Sequence, residues 1–190
     1  IMIWGVSTGR AGTLSLAREL DGVHEPSPGL GPDCDALEVL QGRLEQGTPC
    51  VDRLQSLLIP QIRQIDDDPV IIWLIRNPFD CVRSMVQTQH LVGPSWHPFP
   101  IAQEEPVVQA CLFWLLINGT IHRQYLEGTF IQVRETESLK NHCGKTHIFT
   151  RTGDFGPVEN AKVASICGPL WWQLRATYPE LYGEKKGESE

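Results

Sequence analysis

A chain of 190 residues with 41% hydrophobic and 21% charged residues has the composition of an ordinary globular protein and can bury a core of its own. Its net charge of -7 argues against a general nucleic-acid binder, and no run approaches the ~20 apolar residues of a membrane span. A small pocket for an anion remains compatible with this charge, because it needs only a few arginines. We expect one domain over residues 1–183 and a charged, disordered tail at 184–190.

The sequence begins inside an apparent strand and shows no secretory signal. We therefore expect a cytoplasmic protein, or one of the Golgi lumen if an N-terminal anchor has been removed. The six cysteines are scattered without a C-x-x-C pair, which argues against a metal centre. Free thiols are expected, and disulfides in an oxidising compartment are the alternative.

The first third of the chain predicts strand, loop and helix in turn. Residues 1–7 form an apolar run typical of a strand, 8–13 a glycine-containing loop, and 14–22 a helix. Residues 23–29 predict the tip of a second strand that enters a proline-containing loop. The spacing of leucine and isoleucine through 33–65 predicts helix.

The remainder of the chain repeats this alternation. The stretch DDDPVIIWLIRNP at residues 66–78, with its apolar run PVIIWLI, predicts a strand buried on both faces, with Asn77 as N-cap and Pro78 as first residue of the next helix. A long buried helix over 107–126 and a strand within 129–139 follow. Residues 160–181 predict a helix interrupted near Gly168 and Pro169. Strands alternating with helices predict an α/β domain of three layers around a mainly parallel central sheet.

The loop after the first strand, STGRAGT at residues 7–13, has the residue types of an anion-binding loop. Gly9 and Gly12 permit unusual backbone conformations, Arg10 adds a planar positive charge, and Thr13 offers a hydroxyl. The alternative is an ordinary turn with a surface arginine. The G-x-x-x-x-G-K-[ST] pattern of a nucleotide triphosphatase is absent, which argues against a kinase or hydrolase.

A second group of polar residues follows the buried strand, in RNPFDCVRS at residues 76–84. Arg76 ends the strand, where a charge needs an anionic partner or solvent, and Ser84 lies in the helix that follows. An arginine and a hydroxyl together can bind a phosphate, whereas pairing of Arg76 with a core carboxylate is the structural alternative. Because ligands bind at the carboxyl ends of parallel strands, we expect this group and the first loop to form halves of one site.

Together, the two motifs resemble those of sulfotransferases that use 3′-phosphoadenosine-5′-phosphosulfate (PAPS). In that family a loop of the type R/K-x-G-T binds the 5′-phosphosulfate, and R-N-P-x-D-x-x-x-S binds the 3′-phosphate. The resemblance covers about residues 3–140 and implies a P-loop-like α/β fold. It extends, without the tyrosine of the family's R-Y-E pattern, to Trp114, Asn118, Arg134 and Glu135.

The resemblance implies PAPS as the sulfuryl donor and no metal. Arg10, where many members have lysine, is expected to stabilise the leaving phosphate. The expected cofactor-binding residues are Gly9, Arg10, Ala11, Gly12, Thr13, Leu14, Arg76, Ser84 and Arg151.

An acceptor hydroxyl or amine must lose its proton, and the resemblance to glycan-type members favours Glu25 as the base, with His24 as the second choice. A structural pairing of Glu25 with an arginine is the alternative. A small molecule or a carbohydrate is the expected acceptor. A P-loop kinase or nucleotide hydrolase, or a non-catalytic binding module of the same fold, are the alternative functions.

Overall fold

A computed structural model of the chain describes residues 1–8, 10–26, 35–87, 104–135, 139 and 155–178. These residues contain five strands, which are β1 (Ile3–Val6), β2 (Val23–His24), β3 (Cys50–Val51), β4 (Val70–Ile75) and β5 (Ile131–Glu135). The helices in the same ranges are α1 (Thr13–Glu19), α2 (Ala36–Gln46), a 3-10 helix (Leu54–Leu57), α3 (Ile59–Ile65), α4 (Pro78–Gln87), α5 (Pro106–Leu126) and α6 (Pro157–Thr177).

The strands form a single sheet in the order β2-β3-β1-β4-β5, and every pair of neighbours is parallel. This arrangement confirms the predicted α/β fold with a parallel central sheet. After β1 the chain passes to β2, on one side of the sheet, whereas after β4 it passes to β5, on the other side. The carboxyl ends of β1 and β4 therefore flank the point where the strand order reverses, and α/β sheets bind ligands at such points.

Alternating side chains of β4 divide the core into two layers of packing, as the period of two in a strand requires. Ile71, Trp73 and Ile75 belong to a cluster completed by side chains of α2 to α6. Ile72 and Leu74 face the opposite way and pack with residues of α1. In the described residues the sheet thus lies between α1 on one face and the other helices on the other face, which makes three layers.

The start of α4 follows the sequence prediction. The side-chain Oδ1 of Asn77 accepts a hydrogen bond of 2.9 Å from the backbone N–H of Phe79, and Pro78 is the first helical residue. This cap satisfies one of the donors that a helix N-terminus leaves without an intrahelical partner. It also makes the chain turn directly after β4, so that α4 begins close to the strand end.

The prediction of helix throughout residues 33–65 was wrong at β3. Gly47, in a left-handed conformation with φ of 65°, ends α2, and Cys50–Val51 then pair with β1 in the sheet. The approach is close, since a Cβ atom added to Gly5 of β1 would lie 2.7 Å from Cγ2 of Val51. Two paired residues are too few to show a strand period, so tertiary pairing prevails over the local pattern.

The predicted interruption near Gly168 and Pro169 was also wrong, because α6 is assigned as one helix across both residues. Proline removes one hydrogen bond to the carbonyl four residues earlier, here that of Ser165. Pro169 and Ser165 are both exposed, so water can reach this carbonyl from the outer face of the helix. The cost of the proline is thereby reduced, and packing of the inner face maintains the helix.

In the described part of the chain, the helices are all too short or too polar to cross a membrane. The cysteines found there are buried free thiols, namely Cys50, Cys81, Cys111 and Cys167. The expected tail at 184–190 lies outside the described residues.

Candidate functional site

The candidate site lies at the carboxyl ends of β1 and β4. The loop after β1 has two residues in the left-handed region, Arg10 with φ of 50° and Gly12 with φ of 91°. Glycine adopts this conformation at little cost, whereas an arginine there is strained and is held by its surroundings. Ala11 between them is fully buried among core side chains. The loop therefore has a defined shape, with one apolar residue anchored inward.

Hydrogen bonds attach the beginning of this loop to neighbouring elements. The backbone N–H of Ser7 donates to Oγ of Ser56 at 2.9 Å, and the same hydroxyl donates to the carbonyl of Ser7 at 3.0 Å. Thr8 Oγ1 and Cys81 Sγ share a hydrogen bond of 3.3 Å. The loop is thus tied to the 3-10 helix on one side and to α4 on the other.

Hydrogen bonds link three of the predicted binding residues through Arg10. Arg10 donates from Nε to Oγ of Ser84 at 3.1 Å, and Arg76 donates from Nη1 to the carbonyl oxygen of Arg10 at 2.8 Å. These bonds span the ends of β1 and β4, and the two halves predicted from the sequence come together as one cluster. We call Arg10, Arg76 and Ser84 the β1–β4 cluster.

The contacts within this cluster leave its positive charges in place. A hydroxyl and a carbonyl oxygen accept hydrogen bonds without neutralising a guanidinium group. Among the described residues Arg76 forms no ion pair, so the alternative of pairing with a core carboxylate is not observed there. Burial lowers the pKa of Arg10, and the charge of Arg76 acts in the same direction, while Cys81 opposes both. Two arginines so close together favour a bound anion.

Buried tryptophans support the end of β4 from the α5 side. Trp114 donates from its indole N–H to the carbonyl of Arg76 at 3.4 Å, and Trp73 donates to Oδ1 of Asn118 at 3.1 Å. The amide of Asn118 in turn donates to the carbonyl of Trp114 at 3.0 Å. Trp114 and Asn118, which the resemblance singled out, therefore hold the end of β4 in position from α5.

The second-choice base, His24, contacts the anion loop directly. Its Nε2 and the hydroxyl of Thr13 share a hydrogen bond of 2.8 Å, which joins the end of β2 to the start of α1. Burial lowers the pKa of His24; Glu25 and Asp52 oppose this shift, and Arg53 reinforces it. This shift favours the neutral imidazole, in which one ring nitrogen carries no proton.

The first-choice base, Glu25, lies beside His24 and forms an ion pair with Arg53. The structural alternative for Glu25 is therefore observed, with Arg53 as the arginine. The side chain of Glu25 is 40% exposed whereas that of Arg53 is 8% exposed. The carboxylate is thus accessible from solvent while its cation is enclosed by protein.

Three charged residues near Glu25 were not predicted from the sequence. Arg43 of α2 forms a buried ion pair of 2.9 Å with Asp52, and both side chains are at most 6% exposed. Asp52 and Arg53 directly follow β3, where charged residues after a buried strand would have indicated a site at the sheet edge. This signal was hidden because 33–65 was interpreted as helix. We call Arg43, Asp52, Arg53 and Glu25 the β2–β3 cluster.

The other predicted residues either lie away from the β1–β4 cluster or fall outside the described part of the chain. Leu14 is a half-buried residue in the first turn of α1. Arg134 of β5 forms an ion pair of 2.6 Å with Glu19 of α1. Gly9 and Arg151 lie outside the described residues. Within the described ranges, no three histidine, cysteine or acidic side chains come together as metal ligands.

Comparisons with known proteins assign the chain to no group. No protein-family model matches the sequence, and no curated protein has a significant similarity to it.

Proposed function

We propose that this chain is a sulfotransferase that moves a sulfuryl group from PAPS to a hydroxyl or amine acceptor. The observation that supports it most strongly is the β1–β4 cluster, in which Arg10 contacts both Arg76 and Ser84. These are the residues that the resemblance assigns to the two phosphate-bearing ends of PAPS. Their contacts cross the point where the strand order reverses.

The donor set of the cluster is suited to phosphate oxygens. Guanidinium groups bind phosphate with paired N–H donors, and a hydroxyl that accepts one hydrogen bond can donate another. Ser84 can therefore accept from Arg10 while it donates to the 3′-phosphate, with Arg76 supplying the charge. Arg10 and Thr13 would contact the 5′ end, together with backbone N–H groups of the loop.

PAPS, when bound, supplies an activated sulfuryl group attached to a phosphate leaving group. Transfer then depends on aligning the acceptor and on stabilising the oxygen that receives the leaving charge. In this proposal Arg10 places its guanidinium charge at that oxygen. Glu25 removes the proton of the acceptor, and His24, held by Thr13, is the alternative base. Glu25 is preferred because its carboxylate is accessible from solvent.

The test is an incubation with radiolabelled PAPS and an acceptor panel of para-nitrophenol, N-acetylglucosamine, ethanolamine and water. We expect a labelled product that forms roughly 100-fold or more slowly, but still measurably, in Glu25→Gln, and calorimetry is expected to show that this variant still binds 3′-phosphoadenosine 5′-phosphate (PAP). Glu45→Gln, which changes an exposed carboxylate of α2, serves as the matched control and retains transfer.

Other outcomes would contradict the proposal in distinguishable ways. Binding of PAP without transfer to any acceptor would indicate a non-catalytic binding module. Magnesium-dependent binding or hydrolysis of ATP, with no affinity for PAP, would indicate a kinase or nucleotide hydrolase instead.

A further inference from the structure

We propose that Arg53 is a positioning residue that holds the carboxylate of Glu25 toward the acceptor. The inference rests on the proposed function, since it presumes that Glu25 is the base. It assigns a role to a residue that lies outside both predicted motifs.

The ion pair between Arg53 and Glu25 is asymmetric. Nη1 of Arg53 contacts Oε1 of Glu25, and the arginine side chain is enclosed whereas the carboxylate is partly exposed. A carboxylate has two oxygens that accept hydrogen bonds, so engagement of Oε1 does not prevent Oε2 from receiving a proton. An enclosed guanidinium can therefore orient the carboxyl group without covering it.

The backbone of Glu25 is also constrained. Its φ of 47° is in the left-handed region, which is strained for a residue with a side chain. Its N–H donates to the carbonyl of Val51 at 2.9 Å, which ties the end of β2 to β3. Strained residues persist where the surrounding structure holds them, and they concentrate at functional sites.

Arg43 supports both chain segments that bear the ion pair. Its Nη2 donates to the carbonyl of Pro26 at 3.3 Å and to Oδ2 of Asp52 at 2.9 Å. Asp52 also accepts at Oδ1 from the N–H of Leu54 at 2.8 Å. The residue after Glu25 and the residue before Arg53 are thus both held by one buried arginine, which gives the ion pair a rigid support.

Stability alone does not account for this construction. An ion pair with a 40% exposed carboxylate contributes little to folding, whereas orientation of a base within a site changes rates strongly. The adjacent residue, His24, contacts Thr13 of the anion loop. The pair therefore lies next to the place where the sulfuryl group is expected to react.

The experiment compares kcat for transfer from PAPS in wild type, Arg53→Gln and Arg53→Lys, each also in the Glu25→Gln background. We expect Arg53→Gln to lower kcat by roughly 10- to 100-fold and Arg53→Lys to recover part of this loss. The dissociation constant for PAP is expected to stay within about twofold, because Arg53 contacts Glu25 and not the β1–β4 cluster. In the Glu25→Gln background, Arg53→Gln is expected to lower kcat further by less than about twofold, because its effect passes through the carboxylate of Glu25.

Arg63→Gln is the matched control, since Nη1 of Arg63 contacts Oγ1 of Thr129 near the amino ends of β4 and β5. It is expected to leave kcat unchanged. An equal loss from Arg53→Gln with and without Glu25 would overturn the inference, as would an unchanged kcat in Arg53→Gln. A wild-type chain that neither binds PAP nor turns over PAPS would overturn the proposed function and this inference together. Active wild type with unaffected Arg53 variants would overturn the inference alone.

Discussion

Two groups of arginines lie at the same edge of the sheet and use their charges differently. In the β1–β4 cluster, the contacts of Arg10 and Arg76 are to a hydroxyl and a carbonyl oxygen. In the β2–β3 cluster, Arg43 and Arg53 each contact a carboxylate. The acceptors in the first arrangement are uncharged, whereas the second uses ion pairs that hold the chain and the carboxylate of Glu25. The chemistry of the partner therefore distinguishes the arginines proposed to bind a ligand from those that hold other protein groups.

The difference also predicts which arginines matter for folding. Removing one partner of a buried ion pair strongly destabilises the fold, because the other charge is then left unpaired in the protein interior. An arginine that contacts a hydroxyl or a carbonyl leaves no buried charge behind when it is replaced. Substitutions in the two clusters should accordingly separate loss of stability from loss of binding.

The largest effect on stability is expected from Arg43→Leu, which leaves the carboxylate of Asp52 buried without its cation. The free energy of unfolding should fall by about 3–5 kcal/mol, as measured by urea denaturation. Lys162→Leu is the control, because the side chains of its pair with Glu105 are 34% and 50% exposed and the pair should be worth at most about 1 kcal/mol. Equal losses in the two variants would contradict the structural role of the β2–β3 cluster.

A smaller effect is expected from Ser84→Ala, which removes the hydroxyl that accepts a hydrogen bond from Arg10 and that we propose to bind the 3′-phosphate. Loss of one hydrogen bond to a charged group should lower the affinity for PAP by roughly tenfold in calorimetry. Ser165→Ala on the exposed face of α6 should leave the affinity unchanged. The account of Ser84 would fail if both serine variants bound PAP equally well.

The smallest effect concerns His24, which lies between the two clusters. Burial lowers its pKa below 6.5, so below about pH 6.5 the unfolded chain takes up a proton that the folded chain does not. The stability linked to His24 is therefore present above this pH and is lost as the pH falls toward the folded pKa. His24→Asn should flatten the pH dependence of the unfolding midpoint between pH 7 and 5.

His122 provides an internal reference for this measurement, since burial lowers its pKa as well. Because of His122, the unfolding midpoint of His24→Asn should retain some pH dependence. If this midpoint varied with pH as steeply in His24→Asn as in wild type, His24 would have the same pKa in the folded and unfolded chains.

The sequence was informative wherever a strand was long and a loop directly followed it. The ends of β1 and β4 could be located, and the meeting of Arg10 with Arg76 and Ser84 follows from the parallel arrangement. Asn77 could be identified as a cap because capping depends on neighbouring residues only.

The β2–β3 cluster could not be predicted in the same way. The two residues of β3 are too short for a periodic pattern, and their strand conformation depends on pairing with β1. Arg43, Asp52 and Arg53 belong to different elements, so their contacts follow from tertiary structure and not from spacing. Glu25 could be proposed as a base from the sequence, but the arginine that pairs with it could not be identified.

The central claim is that the β1–β4 cluster binds the 3′-phosphate of PAPS, and calorimetry with PAP on wild type and Arg76→Ala tests it directly. We predict that wild type binds PAP and that Arg76→Ala weakens binding by about 100-fold or more, with little change in the unfolding midpoint. Arg63→Ala, which removes an arginine remote from the cluster, should bind like wild type. Equal affinity of wild type and Arg76→Ala, or no binding by wild type, would contradict the claim.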